Sequence, residues 1–169
     1  MMSYVRFAAM VATSSVMMYG LMYLNTYSLD HVAFSQTRMW MALVMGAAMA
    51  IVMLLFMAGM YPNKRLNAAV LGVGLVVFFG SLYLVRSQAT VGDVAYMEAM
   101  IPHHSIAILT SSRAHIRDPR VRRLADGILE AQVREIGQMK ALVADLKAHP
   151  PAATPPGLGA WSRPLRPRS

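Results

Sequence analysis

Between residues 4 and 85 the chain carries only five charged side chains: Arg6, Asp30, Arg38, Lys64 and Arg65. Three apolar runs fill that stretch, at about residues 7–24, 39–60 and 66–85. Each approaches the ~20 residues that a helix needs to cross a bilayer. Backbone amides cannot stay unpaired in lipid, and an α-helix is the form that pairs them within one segment. The expectation is an all-α chain with a three-span membrane domain over residues 1–86. Arg6 before the first run gives it the look of a signal peptide. No small-x-small cleavage site follows, and the run passes directly into Tyr23, Asn25 and Tyr27, so it reads as a retained helix.

Orientation follows from Lys and Arg in the short loops. Arg6 flanks the first run, and Lys64 and Arg65 sit between the second and third. The loop at residues 25–38 holds Asp30, His31 and Arg38 and has no net charge. That asymmetry places the N terminus in the cytoplasm and everything after residue 85 outside. In a bacterium the chain would sit in the inner membrane with its C-terminal part periplasmic or extracellular.

The polar remainder has a different character. Of 16 Lys and Arg, 12 lie at or after Arg86, so the formal charge of +8 belongs mainly to this part. The basic residues have no aromatic interleaving and no nucleic-acid motif, which argues against nucleic acid as a partner. Residues 90–148 read as a helical hairpin. Thr90 and Asp93 make a T-x-x-D capping signal for a helix to about Ile116. Asp118 and Pro119 start a second helix, to about Lys147, with Asp as N-cap and Pro as first helical residue. Residues 149–169 hold six of the nine prolines and read as a disordered tail. If the third run led straight into the first polar helix, the hairpin tip would stand ~35 Å from the bilayer. Two helices cannot enclose a core, so a homodimer completing a four-helix bundle is expected.

Within the hairpin, residues 97–108 read MEAMIPHHSIAI. At 100° per residue, Met97, Met100, Ile101, His104, Ile108, Ser111 and His115 share one stripe, and His103 lies about 100° to one side. Folding the hairpin antiparallel brings His103 level with Gln132, Met100 with Glu135 and Met97 with Met139, within a turn. A dry seam would not hold Gln and Glu, because buried polar groups need partners. Pro102 removes the amide that would bond to the Glu98 carbonyl, and a kink is expected there. Thioether and imidazole suit a soft, low-valent metal, and the chain has no cysteine to compete. The expected metal ligands are His103, His104, Met97 and Met100, with Met139 and Glu135 from the facing helix, and the expected metal is Cu(I) or Ag(I).

MIPHHSIAI, with Asp93 and Tyr96 upstream and AQVREIGQM downstream, resembles the bacterial domain-of-unknown-function family numbered 305. The likeness covers about residues 93–146, and the three-run N-terminal part is similar to membrane-anchored members. The resemblance implies a ferritin-like helical bundle, export, and copper binding or tolerance through Met and His. Thr110 stands where that family often has Met. Longer members carry more than one His-rich hairpin, so the single one here makes dimerisation more necessary. A di-iron site would want several Glu and an E-x-x-H pair. Glu98, Glu130 and Glu135 provide neither. No nucleophile or paired acid and base is evident, so storage or handover of metal is expected rather than catalysis, with a periplasmic metal donor or acceptor as partner. A non-catalytic accessory protein whose hairpin mediates assembly is the competing expectation.

Thirteen of 16 methionines lie in the first 60 residues. Met41, Met45, Met49, Met53 and Met57 recur every fourth residue, a stripe that could pass Cu(I) or simply pack. Ala42, Gly46, Ala50 and Gly59 point to close helix contacts. His31 could join an external site.

Overall fold

The computed structural model describes residues 4–150. The 149–169 tail expectation falls almost wholly outside them. Five α-helices account for the fold, with no strand among the described residues: α1 (Tyr4–Leu21), α2 (Gln36–Phe56), α3 (Lys64–Ser87), α4 (Asp93–Arg113) and α5 (Pro119–Ala148). Two of them, α2 and α3, are long and apolar enough to cross a membrane. The expected first span forms α1, of 18 residues, with Thr13, Ser14 and Ser15 at its middle.

Helix α2 packs against both α1 and α3. Its contact faces are made of small residues. A Cβ on Gly46 would collide with the Ser15 side chain of α1, and one on Gly74 would meet Ile51 Cγ1 at 3.0 Å. Ser15 donates to the Val11 carbonyl at 2.8 Å, so its hydroxyl is satisfied within α1. Of the four small residues expected at close contacts, Ala42 and Gly46 are buried and Ala50 packs on the apolar cluster, but Gly59 faces open space. The methionine ladder is not the buried seam: Met45, Met49, Met53 and Met57 are half-buried and Met41 is exposed.

At one end of this trio Tyr4 donates to Asn67 Oδ1 at 2.7 Å, and Phe7, Leu54 and Tyr61 form a buried cluster. At the other end the Arg38 guanidinium donates to the Met22 carbonyl at 2.8 Å and stacks 4.4 Å over the Tyr23 ring.

Helix α3 ends at Gln88, whose φ of 53° is left-handed. Its side chain donates to the Val85 carbonyl at 2.6 Å, holding a conformation that glycine usually supplies. The chain therefore turns before α4, which is not a continuation of α3. Instead the middle of α4 lies against the α1–α2 loop, and the expectation of a hairpin extending straight outward is corrected. Helix α4 begins at Asp93 with Gly92 as N-cap and no side-chain cap. Thr90 does not cap it; the N-terminal dipole meets the Asp93 carboxylate instead. Helix α5 starts as expected, with Asp118 accepting from the Arg120 amide at 2.8 Å and Pro119 first in the helix. Helices α4 and α5 pack on each other around Ile101, Ile108 and Ile136.

Candidate metal centre

Helix α4 runs without interruption through Pro102, which is fully buried. The histidine pair follows it directly. His104 turns inward and His103 outward, with ring centroids 6.1 Å apart and planes at 58°. This follows from their being consecutive on a helix: one residue of rotation carries His103 off the α5-facing stripe. The structure therefore leaves His103 exposed and half-buries His104, whose side chain is 15% exposed.

His104 Nδ1 lies 3.2 Å from Glu135 Oε2. The pair is close but not aligned for a hydrogen bond, and the buried Nδ1 has no bonded partner. Burial pushes the imidazole's pKa below its ordinary value, the Glu135 carboxylate pulls it part of the way back, and His103 adds to the depression. The net downward shift favours the neutral imidazole, the form that offers a lone pair to a metal.

Met100 and Met97 stand four and seven residues before His104, so all three share one stripe of α4. Met97 is buried and Met100 half-buried. From α5, Met139 packs against the Ile101, Ile108 and Ile136 cluster, and Gln132 is half-buried. The expected pairing is shifted by one turn, because Glu135 faces His104 rather than Met100. Near the tip, Arg122 reaches the Ser111 carbonyl at 2.9 Å, and at the open end Lys147 binds Glu98 at 2.6 Å. Matched positions thus advance faster along α5 than along α4. Helices that cross at an angle, joined by long side chains, do not keep the register of parallel rods.

Among the described residues no three His, Asp or Glu side chains gather where one ion could sit. The residues brought together are His104 and Glu135, with Met97 and Met100 along the same stripe. Carboxylate oxygen is a hard ligand, so the part of this set that fits Cu(I) or Ag(I) is the imidazole with the two thioethers. Thr110 folds back on its own helix, donating toward the Ile106 and Ala107 carbonyls, and supplies no soft ligand.

The α1–α2 loop reaches this neighbourhood. Ser105, fully buried, accepts from the Tyr27 amide at 2.7 Å and lies 3.0 Å from His31 Nδ1. Asp30 meets Lys140 Nζ of α5 at 2.6 Å. His31 is therefore packed beside the residue that follows His104. Local periodicity marks Ser105 only as a small polar residue among isoleucines, which does not show what it binds. Tyr27 and Lys140 carry no sequence signal for this contact at all.

The chain thus joins a trio of apolar helices packed through small residues to a His- and Met-bearing αα-hairpin. Residues 93–160 match the family model of a domain of unknown function, DUF305, and the hairpin is a domain of that family. The uncharacterized protein L153 of Acanthamoeba polyphaga mimivirus is 38% identical over 68 residues, which are 39% of this chain and 45% of the viral protein. The match therefore spans less than half the length of that relative. No solved structure matches the chain.

Proposed function

We propose that the protein is a membrane-anchored metal-binding protein that holds Cu(I) or Ag(I) for storage or handover outside the cytoplasm. The observation that carries this reading is His104: an imidazole with an unbonded buried nitrogen, its pKa lowered by burial, on the same helix stripe as Met97 and Met100. These three would hold the metal, with His103, Met139 and Glu135 as further candidates. A bound soft ion would supply charge compensation and cross-linking of the seam; the protein's part is to keep His104 unprotonated and the thioethers shielded from water.

Three spans with a cytoplasmic N terminus fit the arrangement of polar groups. Tyr4, Arg6, Lys64 and Arg65 mark one end of the helix trio, and Tyr19, Tyr23 and Arg38 the other. Aromatic and cationic residues at both ends are what bilayer interfaces favour. Helix α1 would cross as the third span, its serine satisfied internally. The exposed Val121, Leu124, Ile128 and Leu142 of α5 would be covered by a second copy, giving the four-helix bundle. Such a protein works with a metal donor or acceptor in the periplasm and performs no catalysis.

The His104–Glu135 contact also favours a second reading, in which the polar seam is self-contained and the hairpin serves assembly alone. An anaerobic Cu(I) titration of the full chain in micelles, against a chromophoric chelator, separates the two. The His104→Ala variant is expected to lose affinity by more than ~100-fold, beyond the effect of losing a merely supporting residue. His103→Ala should lose less, because its ring faces solvent. Wild-type protein that fails to compete with the chelator would leave the assembly reading standing.

A further inference from the structure

Helix α2 contacts α1 and α3 on different sides, and a groove of about 720 Å³ opens between α1 and α3. Its floor is the small-residue face of α2, with Gly46, Ala47 and Ala50, and its walls are apolar apart from Ser15 and the Tyr4 hydroxyl at one end. Along α1 it runs from Tyr4 to Val16, and along α3 from Leu66 to Val77. At 1.5 Å per residue those stretches are ~17 Å long. That is about one leaflet of a ~30 Å hydrocarbon core.

The two ends of the groove differ. Next to Tyr4 and Leu66 stand Arg6, Lys64 and Arg65, all exposed and none in an ion pair with another described residue. Several cations elsewhere are paired, Arg38 on a carbonyl and a ring and Arg120, Arg122, Lys140 and Lys147 on carboxylates, while Arg86, Arg113, Arg117 and Arg134 are not and do not border this groove. Three unpaired cations at one mouth of a leaflet-deep apolar groove are complementary to a molecule with an anionic head and one long hydrocarbon tail.

We propose that the groove between α1 and α3 binds an acyl chain of an anionic phospholipid, with the phosphate held by Arg6, Lys64 and Arg65. The site rests on the three-span reading above, not on the metal centre. A lipid here would fill the gap that α1 and α3 leave between them, and so would brace α1, with Thr13, Ser14 and Ser15 at its middle, against α3. The anionic head also fixes which leaflet is engaged, because clustered Lys and Arg at a membrane surface are drawn to acidic lipids of the cytoplasmic face.

The test uses full-length protein extracted from carbonate-washed membranes into mild detergent. It is mixed with equal amounts of dioleoyl phosphatidylglycerol and dioleoyl phosphatidylcholine and examined by native mass spectrometry. One phosphatidylglycerol should be retained per chain, preferred over phosphatidylcholine by at least about fivefold. The triple variant Arg6→Gln, Lys64→Gln, Arg65→Gln should lose the preference. Ala12→Phe, which fills the groove from an exposed wall position, should lose the bound lipid of either kind. Equal retention of the two lipids by the wild type overturns the proposal, as does a preference that survives either variant. So does a dimer that binds no lipid, because a second copy would then occupy the groove. Protein released by the carbonate wash would instead sink the spanning reading, before any lipid is added.

Discussion

The helix trio and the hairpin solve the same packing problem in opposite ways. In the hairpin, Ile108 and Ile136 are 3% exposed, and charge lies outside. In α2 and α3 many large residues point out, with Phe56 88% and Val76 73% exposed and Val44 and Leu54 turned inward, while Gly46 and Gly74 are buried. Water drives apolar side chains together. Lipid does not, so helices in lipid associate through close backbone approach at small residues. The inversion occurs within one chain, and it changes at the left-handed Gln88 turn. The α5 stripe of Val121, Leu124, Ile128 and Leu142 breaks the hairpin's rule, since it is apolar and exposed.

The largest expected effect tests the hairpin's side of this contrast. Ile136→Ala should destabilise the hairpin by ~2–5 kcal/mol, through lost burial and the cavity left behind. Leu124→Ala, at a 66% exposed position, should cost no more than ~0.5 kcal/mol. Hydrogen exchange of hairpin amides in the full chain measures both. A Leu124→Ala cost as large as that of Ile136→Ala would mean that the stripe is covered, and would make the homodimer its natural cover.

A smaller effect is expected in the trio. Gly46→Ala puts a methyl group where Ser15 already lies, and forced overpacking costs ~1–3 kcal/mol. Gly72→Ala, with nothing within 4 Å, should be neutral or slightly stabilising because alanine is the better helix former. Thermal unfolding in micelles distinguishes them. Equal melting temperatures for the two variants would show that α1 does not dock on α2 through Gly46.

Much of this was legible in the sequence, and the failures have identifiable causes. The start of α5 was readable because Asp118 and Pro119 act locally, one through its side chain and the other through its fixed φ. The start of α4 was misread because T-x-x-D requires Thr90 at the N-cap, and the turn after Gln88 gives that place to Gly92. The stripe of Met97, Met100 and His104 followed from helical rotation alone. The partner of Glu135 followed only to within a turn, since register depends on how α4 and α5 cross. The docking of Tyr27 and His31 on Ser105 joins residues more than seventy positions apart, and no local pattern encodes it. His31 stood out in the sequence only as a histidine in a short loop.

That docking is where the two regions meet, and it gives the smallest expected effect. The Asp30 carboxyl is held down to about 2, first by the Lys140 ammonium and then by the Ser28 hydroxyl, with His31 adding a little. In the unfolded chain the same group ionises near the ordinary ~3.9. The folded value is the lower one, so the tether's contribution is complete above about pH 4. It is lost as pH falls from there through the folded value near 2. Because both partners are exposed to solvent, the tether is weak and screened by salt. Lys140→Gln removes the main cause, and the Asp30 carboxyl should then titrate closer to its ordinary value. Carbon-detected NMR of the Asp30 carboxyl in micelles, from pH 1.5 to 6, follows this directly. A wild-type carboxyl that titrates near 4 would mean that the loop does not hold α5 through this pair. The junction between trio and hairpin would then rest on Ser105 and on the contact of α2 with α4.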